Sequence, residues 1–62
     1  MSYFISFTDH GKNIYLNVSQ INFVTSNRKG NAVIFDNQGN EFNLDEEFPN
    51  FMKRLNNLLG EF

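Results

Sequence analysis

His10 is the only histidine of this chain and cysteine is absent, so the groups that could act on a substrate are few. Nucleophilic attack would have to come from Ser2, Ser6, Ser19 or Ser26 with His10 as its base. The pair Asp9-His10 stands in the segment Asp9-His10-Gly11-Lys12, whose composition reads as a turn, and a solvated loop pair explains it more simply than a general base does. The acids Glu41, Asp45, Glu46 and Glu47 offer hard-cation ligands, but they lack the loop spacing of a calcium site. The start of a helix accounts for them with less. A structural zinc needs thiolates or several imidazoles, and neither set is present. The glycines are spread one to a turn, so no phosphate-cradling loop exists. These absences lead us to expect no catalytic residue, no metal and no cofactor, and hence no enzyme.

Two features could bind. Arg28 and Lys29 form a basic hairpin tip that, with Lys12, could touch phosphates, while Tyr3 or Tyr15 could offer a stacking surface. Against broad nucleic-acid binding stands the formal charge of −2, because that mode requires an excess of cations. The other feature is apolar. Eight Phe and two Tyr among 62 residues exceed what so small an interior holds, which predicts a surface that meets protein.

The elements that would position these groups follow from periodicity. Tyr3 to Thr8 reads as a first strand, with Tyr3, Ile5 and Phe7 on one face and Phe4 on the other. Asn13 to Val18 alternates cleanly, directing Ile14, Leu16 and Val18 one way and Tyr15 the other. After a break at Ser19-Gln20, Ile21 to Ser26 places Ile21, Phe23 and Thr25 together and Val24 opposite them. Ala32 to Asp36 is apolar throughout and reads as a central strand covered on both sides. Glu41 to Leu44 turns Phe42 and Leu44 inward. Asn27-Arg28-Lys29-Gly30-Asn31 and Asn37-Gln38-Gly39-Asn40 supply the tight turns, which makes Ile21 to Leu44 a three-stranded meander.

Phe48, Phe51, Met52, Leu55, Leu58 and Leu59 follow the spacing of a helix with one apolar stripe. Asp45 is the expected N-cap, with Glu46 and Glu47 at the positive end of the dipole, Pro49 near the first turn and Gly60 as the stop. The fold class is therefore α+β: an antiparallel meander of about five short strands with one C-terminal helix across one face. That stripe should cover Ile14, Leu16, Phe23, either Val33 or Ile34, Phe42 and Leu44. Phe4, Tyr15 and Val24 are left on the far side as a candidate interaction face.

Residues 1–62 form one small domain. A chain of this size buries only about 60% of the surface it exposes when unfolded, so a staple is usual. Without disulfides or metal, the staple is very good packing or a second copy. A large apolar patch is uncommon on a monomer, so either the sheet curls into a partial barrel or another chain covers it. Lack of cysteine, of a signal-like N-terminus and of any apolar run near the roughly 20 residues of a membrane span sets the expectation of a cytoplasmic protein with no membrane contact.

Val18-Ser19-Gln20-Ile21-Asn22-Phe23-Val24, then Asn31-Ala32-Val33-Ile34-Phe35, Gln38-Gly39-Asn40-Glu41-Phe42 and Phe48 through Leu55, resemble the first part of the bacterial LytTR DNA-binding domain. There, too, a strand leads into a hairpin with a glycine turn and a short helix. FlbD-type small bacterial proteins share a comparable order, and the resemblance extends over Leu16 to Leu59. Strands entering one terminal helix through Phe42-Asn43-Leu44-Asp45 are also similar to the positive-cofactor-four-type single-stranded-DNA binders, which are more basic and have longer strands. The resemblance implies a regulatory role and brings over no DNA-contacting residue. The expected function is a small non-catalytic interaction or regulatory module of a bacterium or phage, a homodimer through its sheet. The alternatives are a LytTR-like nucleic-acid-binding regulator using Lys12, Arg28 and Lys29, and a phage-type inhibitor presenting Glu41 to Glu47 to a host protein.

Overall fold

The computed structural model describes residues 3–60. Five strands precede one helix: β1 (Phe4–Asp9), β2 (Lys12–Asn17), β3 (Ile21–Ser26), β4 (Asn31–Asp36), β5 (Glu41–Glu47) and α1 (Phe48–Leu59). They form one open antiparallel sheet in the order β2-β1-β5-β4-β3. β3, β4 and β5 are the expected meander, and the β1–β2 hairpin attaches to it through β5.

That order has a geometric consequence. β2 and β3 lie at opposite edges, yet only the 3-10 turn Val18–Gln20 joins them. Three residues reach about 10 Å at full extension, so the sheet must curl until its edges approach at this corner. Hydrogen bonds hold the corner from both sides. Val18 N–H donates to Tyr3 O at 2.8 Å, and Asn37 N–H donates to Gln20 O at 2.8 Å. Asn17 caps the turn by accepting from Ser19 N–H at 3.1 Å.

The turns between strands use two devices. Between β1 and β2, His10 at φ 51° and Gly11 at φ 80° make the two-residue hairpin loop closed by Asp9 and Lys12. The β3–β4 and β4–β5 turns are copies of one design, Asn27-x-x-Gly30-Asn31 and Asp36-x-x-Gly39-Asn40. In each, the first side chain accepts from the backbone N–H two and four residues on: Asn27 Oδ1 from Lys29 and Asn31, Asp36 Oδ1 from Gln38 and Asn40. Each glycine N–H also donates to the first residue's carbonyl.

The concave face holds the core. Ile5 and Phe7 of β1, Ala32 and Ile34 of β4, Leu44 of β5, and Phe51 and Leu55 of α1 form one buried cluster. Phe7 sets its ring edgewise to Phe42 (5.6 Å between centroids) and Phe51 (6.4 Å). Ile34, not Val33, faces the helix: Val33 is buried but stands outside the cluster.

Two expectations need correction. Phe23 does not join the helix side, because an extra residue in β3 between Ile21 and Phe23 breaks the ladder there. Ile21 pairs with Asp36 and Val24 with Ile34, so both turn inward and pack on the core, whereas Phe23 pairs with Phe35 and turns out. Nor is Asp45 the N-cap. β5 continues through Glu47, which occupies the cap position without a side-chain bond. The first helical N–H, that of Phe48, instead donates to Gly30 O at 2.8 Å, so the β3–β4 turn serves as the cap. Pro49 lies in the first turn, where its missing N–H costs nothing, and Gly60 ends the helix.

Candidate interaction surface

The convex face of the sheet carries side chains that the single helix cannot reach. Tyr15 is 74% exposed, Phe4 56% and Phe23 50%. Their placement follows from the curl. Phe4 pairs across to Asn17, Tyr15 lies two residues before Asn17, and Phe23 lies two residues after Ile21. All three therefore gather about the Val18–Gln20 corner, one pair approaching from β1 and β2 and the other residue from β3. Phe35 extends the set by stacking on Phe23, with centroids 4.6 Å apart and planes 19° apart. Offset stacking of this kind adds about 0.5–1.5 kcal/mol beyond area burial, which holds the exposed Phe23 ring in place.

Of the expected interaction residues, the structure therefore brings Phe4 and Tyr15 together on this face and withdraws Val24 into the core side. Phe23 takes the place assigned to Val24. Sequence alternation had no means of showing this, since only the bulge exchanges the two.

The cations divide differently from the sequence grouping. Arg28 and Lys29 line an open cleft of about 370 Å³ with His10, Asn27, Asn31, Asn43, Leu44 and Asp45. Lys12 is not among its lining residues. Neither Arg28 nor Lys29 belongs to an ion pair among the described residues, but Asp45 in the same cleft offsets part of their charge. His10 keeps its Nδ1 2.5 Å from Asp9 Oδ1 with its own side chain 82% exposed, in the β1–β2 hairpin loop. Ser6 is in β1, Ser19 in the corner turn and Ser26 at the end of β3; Ser2 lies outside the described residues. The described residues hold no group of three or more potential metal ligands.

The acidic run is not a helix start but a strand, so its members alternate. Glu41 and Asp45 are exposed, while Glu46 turns inward and meets Arg54 of α1. Arg54 donates from Nη2 to Glu46 Oε1 at 2.6 Å and from Nε to Glu46 Oε2 at 2.9 Å. Its Nη2 also donates to Ser6 O at 2.8 Å, and its guanidinium lies 5.6 Å from the centre of the Phe51 ring. Asn50 Nδ2 donates to Glu46 Oε2 as well. Hydrogen bonding to Glu46 is the main cause that raises the Arg54 pKa; partial burial opposes it and the charge of Glu46 adds to it. The position of this pair explains its role: β1 and β5 pair at the single position Asp9–Leu44, and where they part Arg54 bridges Glu46 of β5 to Ser6 O of β1.

The chain matches no protein-family model, no curated protein and no solved structure. No helix of the described residues is long and apolar enough to cross a membrane.

Proposed function

We propose that this chain is a small non-catalytic interaction or regulatory module of a bacterium or phage, working in the cytoplasm as a homodimer through its β-sheet. One observation carries the reading. Phe4, Tyr15 and Phe23 stand half or more exposed around one corner of the sheet, while α1, the one α-helix of the described residues, is committed to the opposite face. Large aromatic rings grouped on a rigid surface are what protein interfaces enrich, because they remove much apolar area at little cost in side-chain entropy.

Substitution on this face tests the reading. Phe4→Ser should leave the circular dichroism spectrum of the fold intact and shift sedimentation toward the monomer. Loss of the fold with no separate effect on association would count against it.

A second reading, a nucleic-acid-binding regulator, is supported by the cleft that Arg28, Lys29 and His10 line together. A salt-dependent mobility shift on single- and double-stranded DNA separates the two. If Arg28→Glu with Lys29→Glu leaves a measured DNA affinity unchanged, the basic turn is not the contact.

A further inference from the structure

β2 and β3 are the two free edges of the sheet, and they are not equivalent. β3 is bulged between Ile21 and Phe23, a common way to spoil an edge for pairing. β2 has no such protection. Its register with β1 is unbroken from Lys12 to Asn17, it contains no proline, and its one charge, Lys12, lies at its end.

The hairpin fixes which backbone groups β2 leaves over. In a two-residue loop the closing residues, Asp9 and Lys12, exchange hydrogen bonds, so Lys12, Ile14 and Leu16 point their N–H and C=O groups at β1. The Val18 N–H bond to Tyr3 O continues the same alternation. Asn13, Tyr15 and Asn17 therefore direct their backbone groups away from the sheet, where no described strand takes them up.

We propose that this outer edge of β2 pairs antiparallel with the same edge of a second copy, about a two-fold axis passing beside Tyr15. The proposal rests on the homodimer reading above and names its contact. In this register Tyr15 faces the second copy's Tyr15, and Asn13 faces its Asn17, with the outward backbone groups of all three bonded across the axis. Ile14 faces the second copy's Leu16 on the concave side, where both are only half-buried in one chain. An antiparallel strand is self-complementary about a two-fold, so one edge supplies both halves of the contact. No charge opposes its like: Lys12 faces the second copy's Val18. The result is a ten-stranded sheet in which Tyr15, the most exposed aromatic among the described residues, is covered by its own copy. The contact is short, so the dimer forms in the micromolar range rather than as an obligate pair.

Like and unlike charges placed on the axis test this. Sedimentation of the full chain is compared with Tyr15→Lys, Tyr15→Asp and their equimolar mixture, each checked for folding by circular dichroism. Each variant alone should dimerise at least about tenfold more weakly than the natural chain, and the mixture should regain a dimer. Tyr15→Cys gives a second readout independent of charge. Facing residues in a hydrogen-bonded antiparallel pair stand about 5.5 Å apart at Cα, within disulfide range, so mild oxidation should cross-link this variant and not Thr25→Cys on β3. A natural-chain dimer that both charged variants leave unchanged, or that Tyr15→Cys does not cross-link, overturns the β2 contact and leaves the homodimer reading standing. A natural chain that stays monomeric at high micromolar concentration overturns both.

Discussion

Arg54 grips Glu46 through two hydrogen bonds of 2.6 and 2.9 Å and reaches past it to Ser6 O, so one helix side chain fastens β5 to β1 where those strands no longer pair. The forked geometry is specific to a guanidinium. Arg54→Lys keeps the charge and loses the fork, and Arg54→Ala loses both. Because the Arg54 side chain is 39% exposed, solvent screening lowers the value of the ion pair itself. The expected loss for Arg54→Ala is about 1–2 kcal/mol in urea unfolding, with Arg54→Lys recovering less than half of it. An Arg54→Lys variant as stable as the natural chain would show that charge alone matters.

Phe51 is fully buried and touches the β1 and β5 aromatics through Phe7, whereas Leu59, on the same stripe, is 41% exposed. Removing a buried Phe costs about 3–5 kcal/mol, comparable to the whole stability of a domain this small. Phe51→Ala should therefore be largely unfolded at 25 °C by circular dichroism. Leu59→Ala should unfold within about 0.5 kcal/mol of the natural chain.

Gly30 has φ 84° and its carbonyl receives the Phe48 N–H, so the turn and the helix start depend on one residue. A Cβ there would meet nothing within 4 Å, which isolates the backbone strain from any clash. Gly30→Ala should cost about 1–2 kcal/mol, the usual penalty of a left-handed alanine. Reduced hydrogen-exchange protection at the first turn of α1 should accompany it.

Asp36 sets the β4–β5 turn, and its carboxyl is held below the ordinary value of 3.8. The Asn40 side-chain amide contributes most, burial opposes it, and the backbone N–H groups of Asn40, Gln38 and Gly39 add to the lowering. A carboxyl with a lowered pKa in the folded chain adds stability above its unfolded value, and loses that contribution as the pH falls through the folded one. Asp36→Asn should thus lower the melting temperature at pH 7, and the difference should shrink as the pH drops below 3.8. A gap that is constant from pH 7 into that acid range would assign the effect to shape rather than to charge.

Much of this fold can be read from the residues because its signals are local. The five strands, the glycine turns and the amphipathic helix ending at Gly60 each follow from a few neighbouring side chains. What escapes such reading is set by contacts across the chain. Val24 and Phe23 exchange faces because of one extra residue at Asn22, and a bulge leaves no mark in an alternation of apolar types. Asp45 resembles a cap because it precedes the helical stripe, yet pairing of Glu47 with Asn31 extends β5 to the very start of α1. Arg54 and Glu46 lie on different elements, and their meeting depends on the angle at which the helix crosses the sheet. The outer aromatic set was half visible: Phe4 and Tyr15 follow from strand period, while their neighbourhood with Phe23 depends on a three-residue corner joining opposite edges.

Sedimentation equilibrium of the natural chain over rising concentration tests the central claim most directly. The exposed Phe4, Tyr15 and Phe23 predict a reversible monomer–dimer equilibrium with its midpoint in the micromolar range. A single ideal monomer persisting to high micromolar concentration would contradict it.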